Sequence, residues 1–223
     1  DFGILGEEYG AEGDPSRRWV LDPLDGTKAF IRGLPNFACL IGLVVEGATE
    51  VGVVHAPMLG QTWYAARGLG AWREDHAGWA SAEPEPVRLQ VSTTTSLEPA
   101  AAAVSNPHTI ARSSEQWAAL QRMLAPLQYC RGYGDWWGHC LVAQGSLDLN
   151  IDPRCEVYDI APLQVIVEEA GGRFTGLDGS PGLDHGHSLS SNGPLHPLAL
   201  ERAGGAWPSQ RQADGEPALG GCG

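Results

Sequence analysis

Two short apolar runs within the first sixty residues constrain the fold most strongly. "FACLIGLVVE" (37–46) and "EVGVVHAP" (50–57) are rich in valine and isoleucine and are separated by "GAT". Runs of this kind, bounded by turn residues, predict the two strands of a hairpin. "RRWVL" before them and "TWYAAR" after them predict further strands. The first half of the chain is therefore expected to form a sheet, with "GLGAW" as a turn and residues 74–86 as a loop.

Helical patterns dominate the second half of the chain. Residues 115–124 and the run "GDWWGHCLVAQG" have helical spacing, and "SLDLNID" predicts a buried strand. The clearest helix is "DIAPLQVIVEEAGG", with Asp159 expected as the N-cap, Pro162 in the first turn and glycines at the end. Strands followed by helices predict an α/β fold of the α+β layered kind.

The predicted organisation is one domain over residues 1–203, with two lobes of roughly 1–100 and 101–203. The remaining residues, 204–223, are rich in glycine, proline and polar side chains, and this composition predicts a disordered tail. The chain begins at Asp1 without a methionine, and its first residues already resemble a domain interior. We therefore expect a chain whose N-terminus is incomplete.

Charge and cysteine content exclude several classes of protein. The net charge of −13 and the pI of about 4.8 argue against nucleic acid as a partner, because phosphate backbones are bound by clustered basic residues. No run approaches the roughly 18 apolar residues of a membrane span. The five cysteines form no C-x-x-C pair, which favours a reducing cytoplasm over a zinc or disulfide framework.

The stretch "WVLDPLDGTKAF" raises the central question about function. In an extended chain Asp22 and Asp25 would point to opposite faces. A turn at Pro23 would bring them within about 7 Å, which is close enough to share a metal site. Glu7, Glu8 and Asp159 are further candidate ligands, although "DPLDG" alone also fits a surface turn and the other acids alone are weak signals.

Gly26 and Thr27 would complete a phosphate site of this kind. Free backbone amides after the turn would contact phosphate oxygens, above all if a helix begins there. The Thr27 hydroxyl, with Glu7 as its acceptor, would orient and deprotonate the attacking water. A small phosphorylated metabolite can bind an acidic protein in this way because divalent cations stand between the two.

These residues resemble the inositol monophosphatase superfamily of magnesium-dependent phosphatases. "WVLDPLDGTKAFIR" is similar to the first signature of the family, and "YDIAPLQVIVEEAGG" is similar to the second. The resemblance implies a sugar-phosphatase-type αβαβα sandwich, lacking its N-terminal helices here, and it makes a homodimer possible. It also implies two or three Mg²⁺ ions per site, with Mn²⁺ possible, held by Glu7, Asp22, the Leu24 carbonyl, Asp25 and Asp159. Asp25, Gly26 and Thr27 would contact the phosphate, and Glu7 and Thr27 would be catalytic.

Within the superfamily the chain is most similar to the histidinol-phosphatase branch. "GEEYG", "DGTKAFIRGLP" and "YGDWWGHCLVAQGSLD" carry that likeness. It implies hydrolysis of L-histidinol phosphate in histidine biosynthesis. Because histidinol is cationic, Asp135 and Glu156 are candidate substrate-binding residues, although Asp135 equally fits a helix N-cap. The alternatives are an inositol-1-phosphate or promiscuous sugar-phosphate phosphatase, and an inactive fragment that keeps the fold.

Overall fold

The first half of the chain forms a sheet of eight described strands. The computed structural model describes residues 2–8, 10–76 and 85–208. The strands are β1 (Gly3–Gly6), β2 (Gly10–Glu12), β3 (Arg17–Asp25), β4 (Ala38–Val45), β5 (Ala48–Ala56), β6 (Gln61–Ala66), β7 (Gly70–Asp75) and β8 (Val87–Arg88). They lie in the order β2-β1-β3-β4-β5-β6-β7-β8, and only the pair of β1 with β3 is parallel. The predicted hairpin is the pair of β4 with β5.

The second half forms a five-stranded sheet in the order β10-β9-β11-β13-β12. Its strands are β9 (Ala101–Val104), β10 (Tyr129–Arg131), β11 (Leu149–Asp152), β12 (Arg173–Thr175) and β13 (Ser188–Ser191). The helices of the described chain are α1 (Thr27–Ile31), α2 (Ser114–Leu124), α3 (Asp135–Ala143), α4 (Val157–Glu169) and α5 (His196–Ala203). A 3₁₀ turn spans Pro107–Ile110.

The elements stack as sheet, helices, sheet and helices. α4 packs across β3 to β7 of the first sheet and also contacts α3, β12 and β13, so α3 and α4 lie between the two sheets. α2 packs on α5, and both belong to the apolar cluster on the far side of the second sheet. The predicted layered α/β fold is confirmed.

The close contact between α4 and the first sheet depends on two paired glycines. Gly42 of β4 faces Gly52 of β5 in the register, directly under Pro162 of α4. A Cβ on Gly52 would lie only 2.3 Å from the Pro162 carbonyl oxygen, far inside van der Waals contact. These glycines therefore set the distance between the helix layer and the sheet.

The other face of the first sheet is apolar and partly open. Burial alternates along β4, with Leu40 and Val44 buried under α4 and Ile41 and Leu43 only half-buried on the opposite side. The helices before "GEE" that the family resemblance implies as a cover for the sheet stay a prediction. No helix in the described ranges is long and apolar enough to cross a membrane.

Two local predictions are wrong. β7 extends over Gly70–Asp75, where a turn followed by a loop was expected, because residues 70–75 pair with β6 along their whole length. Pro162 lies inside α4 rather than in its first turn, since the helix begins at Val157.

The predicted lobes and tail can be placed only in part. The last strand of the first sheet ends at Arg88 and the first strand of the second sheet begins at Ala101, near the predicted lobe boundary. The domain organisation itself stays a prediction. At the start of the predicted tail, Ala206 and Trp207 are buried in the second apolar cluster. Residues 77–84 and 209–223 lie outside the described residues, so the predictions for them cannot be compared with the structure.

Candidate active site

Asp22 and Asp25 come together because β3 contains a bulge between them. Asp22 pairs with Leu40 of β4 and Asp25 pairs with Ala38, so three steps along β3 match two steps along β4. In a regular strand the two aspartates would point to opposite faces, and the extra residue removes that mismatch. Pro23 is tolerated here because a bulge leaves a strand position without a ladder hydrogen bond. The predicted turn that ends the strand is therefore wrong, whereas the two carboxylates do converge.

Asp159 completes a cluster of three carboxylates. One oxygen from each of Asp22, Asp25 and Asp159 lies within 4.8 Å of the other two. Asp159 was expected as the N-cap of α4, but Glu156 occupies that position and Asp159 is the third residue of the helix. The first turn of α4 thus presents Asp159 to the bulge of β3.

Each carboxylate of the cluster is held by one backbone amide. The bonds run from the Leu24 amide to Asp22 Oδ1 (2.9 Å), from the Trp136 amide to Asp25 Oδ2 (3.1 Å) and from the Glu156 amide to Asp159 Oδ2 (2.7 Å). The donors belong to the β3 bulge, the first turn of α3 and the start of α4. Three separate elements therefore fix one oxygen of each side chain and hold the cluster together.

Burial and mutual repulsion favour the protonated forms of these acids. Burial raises the pKa of Asp22 to about 7, and the charges of Glu7 and Asp159 act in the same direction. Burial likewise raises the pKa of Asp159 to about 7, and the pKa of Asp25 lies well above its usual range. A cation in the cluster would relieve this repulsion, and hard divalent cations prefer such oxygen donors. The donor set therefore fits the divalent metal that the predicted chemistry needs.

The segment after the cluster has a constrained backbone. Gly26 has φ 84°, and a Cβ there would lie 2.5 Å from the Asn36 carbonyl oxygen, so no larger residue fits without a shift. The Thr27 hydroxyl donates to the Leu24 carbonyl at 2.9 Å. We expected Glu7 as the acceptor of that hydroxyl, but the structure gives it to Leu24.

A cavity of about 220 Å³ connects almost all predicted site residues. Its walls are formed by Glu7, Asp22, Leu24, Asp25, Gly26, Thr27, Lys28, Asn106, Asp135 and Asp159. Two candidates do not line it: Glu8 is exposed in the turn after β1, and Glu156 lies beside a different cavity. Glu156 lines a neighbouring cavity of about 310 Å³ with Arg154, His185 and Trp207, and its backbone amide donates to Asp159 of the cluster.

Two more carboxylates lie beside the three-aspartate cluster. Asp135 is the first residue of α3, following Gly134 at the N-cap, so the alternative N-cap role of Asp135 is wrong. Asp152, at the end of β11, is 5% exposed, and burial together with the charge of Asp159 raises its pKa well above the usual range. Both line a small cavity of about 30 Å³ that also borders Asp25 and Asp159.

Asp152 was not among the predicted site residues. Its signal in the sequence is its place at the end of the predicted buried strand "SLDLNID", directly before Pro153. Ligands of α/β sheets often bind where strands end, so this aspartate is a reasonable candidate in retrospect.

Comparison with known proteins agrees with this geometry. The family model of the inositol monophosphatase family matches residues 1–214. The chain belongs to the inositol monophosphatase family. It is therefore a phosphatase, as the sequence predicted, and this family generally depends on divalent metals.

Individual members of the inositol monophosphatase family show the same relationship. A protein named histidinol-phosphatase from Mycobacterium tuberculosis is 41% identical over 203 residues, which covers 90% of this chain and 75% of the relative. A protein of the same name from Streptomyces coelicolor is also 41% identical, covering 86% and 71%. The solved inositol monophosphatase from Anabaena (Nostoc) superposes with a TM-score of 0.76 at 27% identity, covering 95% of this chain and 81% of that chain.

Proposed function

We propose that this phosphatase hydrolyses L-histidinol phosphate to L-histidinol and inorganic phosphate in histidine biosynthesis, with Mg²⁺ as its cofactor. The observation that carries the proposal is the pair of additional carboxylates, Asp135 and Asp152, beside the three-aspartate cluster. A phosphate and its metals need only the cluster and its neighbours. Burial and the charge of Asp159 raise the pKa of Asp152, and a cation in the alcohol part of the substrate would offset both by favouring its ionised form.

The charges lining the two connected cavities support this choice. Six carboxylates, those of Glu7, Asp22, Asp25, Asp135, Asp152 and Asp159, face two basic side chains, Lys28 and Arg154. His139 adds no positive charge, because burial lowers its pKa to about 3. L-Histidinol carries an ammonium and an imidazole, whereas inositol carries no charge. The two relatives at 41% identity that are named histidinol-phosphatase favour the same substrate.

Glu7, Asp22, the Leu24 carbonyl, Asp25 and Asp159 would hold two or three Mg²⁺ ions, with Mn²⁺ as a possible substitute. The bound ions would neutralise the phosphate and make the attacking water more acidic. The chain itself would position these reactants through the amide-held carboxylates, so that no side chain has to rearrange on binding.

Thr27 and Glu7 would orient the attacking water. Because the Thr27 proton is engaged by the Leu24 carbonyl, the hydroxyl oxygen remains available to accept a hydrogen bond from water. Glu7 is exposed at the same cavity wall and would take the water's proton. The amides of Gly26 and Thr27, at the start of α1, would contact the phosphate.

The alternative is an inositol-1-phosphate or broad sugar-phosphate phosphatase. The solved neighbour from Anabaena favours it, since that protein is named inositol monophosphatase. The carboxylate cluster serves either substrate, because it interacts with phosphate and metal only. A homodimer and a cytoplasmic location also remain predictions.

Release of inorganic phosphate from L-histidinol phosphate and from inositol 1-phosphate tests the proposal directly. Both esters are assayed side by side with MgCl₂, with MnCl₂ and with a chelator. We expect chelator-sensitive turnover with kcat/KM for L-histidinol phosphate about tenfold higher or more, as one additional charged contact provides. Similar values for both esters would favour the broad phosphatase. The Asp22→Asn variant is the control, since loss of a cluster carboxylate should abolish turnover of both.

A further inference from the structure

Asn106 and Asp135 form an unusual pair in the wall of the active site. Both are non-glycine residues with positive φ, 44° for Asn106 and 30° for Asp135. Asparagine and aspartate tolerate this conformation better than other residues, yet it remains uncommon and clusters at functional sites. The Asn106 side-chain amide nitrogen, Nδ2, donates to Asp135 Oδ1 at 3.0 Å. Both residues line the large cavity and the small one.

Asp135 stands in an environment that repels its charge. It lines the small cavity together with three other acids, Asp25, Asp152 and Asp159. The ion pairs found among the described residues, Arg67–Glu168 and Arg73–Asp75, lie elsewhere and give Asp135 no basic partner. The bond from Asn106 is the only hydrogen bond of its carboxylate within the described chain.

The bond from Asn106 fixes the position of the Asp135 carboxylate. A free aspartate side chain samples several rotamers, and the bond from the Asn106 amide restricts Asp135 to the one that faces the cavity. It occupies Oδ1 and leaves Oδ2 for a ligand. An ammonium group at Oδ2 would supply the missing positive charge.

We propose that Asn106 is a positioning residue for substrate specificity, which holds Asp135 where its free oxygen meets the ammonium group of a cationic phosphate ester. This inference rests on the proposed function, because it assumes that the alcohol part of the substrate is cationic. Asn106 acts through Asp135 and not on the phosphate.

The residue type at position 106 is suited to this role. Asparagine both adopts the left-handed backbone and supplies an N–H donor from a short side chain. Glycine would keep the backbone conformation and remove only the donor. Aspartate would keep the shape and replace the donor with a repelling carboxylate. Asn106→Gly and Asn106→Asp therefore remove the contact in two different ways.

The test compares kcat/KM for L-histidinol phosphate with that for inositol 1-phosphate, as a ratio. The proteins are the wild type, Asn106→Gly, Asn106→Asp, Asp135→Ala and the double variant Asn106→Gly/Asp135→Ala. We expect each Asn106 variant to lower the ratio about tenfold, mostly through a higher KM for L-histidinol phosphate, since a hydrogen bond to a charged group is lost. In the Asp135→Ala background, Asn106→Gly should change the ratio by less than about twofold. Thermal unfolding of every variant, and calorimetric binding of L-histidinol, give readouts independent of turnover.

Several outcomes would overturn the inference. In the first, Asn106→Gly keeps the wild-type ratio whereas Asp135→Ala lowers it. That result would overturn the role of Asn106 and leave the proposed function intact. Equal losses on both esters, or the same loss from Asn106→Gly with and without Asp135, would show that Asn106 has a general structural role. A wild type with no preference for L-histidinol phosphate would overturn the proposed function, and the inference with it.

Discussion

Replacing Asp22 with asparagine should stabilise the metal-free protein at alkaline pH. Asp22 is 1% exposed, and its pKa rises from 3.8 to about 7 because it is buried beside other acids. At about 1.4 kcal/mol per pKa unit the shift corresponds to at most about 4 kcal/mol, and because Asp22 shares its repulsion with Glu7 and Asp159 we expect about 2 kcal/mol of folding free energy. Asparagine keeps an oxygen for the Leu24 amide and removes the charge.

The pH dependence of this effect follows from the direction of the shift. A carboxyl group whose pKa is raised on folding contributes its full stability below the unfolded-state pKa near 3.8. That stability is lost as pH rises towards 7. The difference between variant and wild type should therefore be near zero at pH 4, should grow between pH 4 and 7, and should stay constant above.

Urea unfolding followed by circular dichroism, with a chelator present, measures the difference at pH 4.5 and pH 8. An increase of about 2 kcal/mol at pH 8 corresponds to roughly 4–8 °C in Tm for a chain of this size. The matched control is Asp14→Asn, an exposed acid whose pKa is lowered by its hydrogen bonds to Ser16 and which should show no gain. Added Mg²⁺ should stabilise the wild type much more than Asp22→Asn. A variant less stable than the wild type at pH 8 without metal would refute the reasoning.

Three further predictions concern separate parts of the molecule. Gly52→Ala should destabilise the protein by about 1–3 kcal/mol in urea unfolding, because the added Cβ would lie 2.3 Å from the Pro162 carbonyl oxygen. Gly132→Ala is the control: its Cβ would lie 3.8 Å from the nearest atom, the Val104 carbonyl oxygen, so its stability should not change. His196, whose pKa burial lowers to about 4, should stay neutral down to that pH in an NMR titration, and a value near 6.5 would contradict its buried position between Thr175 and Ser191. Lys28, the only lysine of the sequence, lines the cavity. Lys28→Met should therefore raise KM about fivefold for both esters at low salt, and by less at high salt. A KM that the substitution does not change would exclude a role of Lys28 in attracting phosphate.

The sequence predicted which aspartates form the carboxylate cluster but not the backbone irregularity that brings them together. Aspartates three residues apart cannot share a face of a regular strand, so some irregularity was required. Either a turn at Pro23 or a bulge provides such an irregularity. The structure has the bulge, because β3 pairs with β4 on both sides of Pro23. The start of α4 was ambiguous for a similar reason. An acidic residue is favoured as the N-cap and also as the third helical residue, where its side chain accepts from the N-cap amide. Only the structure shows that Glu156 is the N-cap and Asp159 the third residue.

Features that depend on tertiary packing were not visible in the sequence. β9 has the sequence "AAAV", and alanine is a poor strand former, so no strand was predicted there. All four residues are buried between helix layers, where small side chains let the helices approach the sheet. Asp152 was missed because a single aspartate at the end of a strand has no recognisable spacing. Only the fold brings it to the same cavity as Asp135 and Asp159.

The central claim, that additional carboxylates select a cationic phosphate ester, is tested most directly with Asp152→Asn. The measurement is the ratio of kcat/KM for L-histidinol phosphate to that for inositol 1-phosphate, with Mg²⁺ binding confirmed by calorimetry. Asp152 lies outside the three-aspartate cluster, so the account predicts intact metal binding. Because a bound cation would favour the ionised form of Asp152, which asparagine lacks, it also predicts a ratio at least about tenfold lower. An unchanged ratio, or an equal loss on both esters, would contradict it.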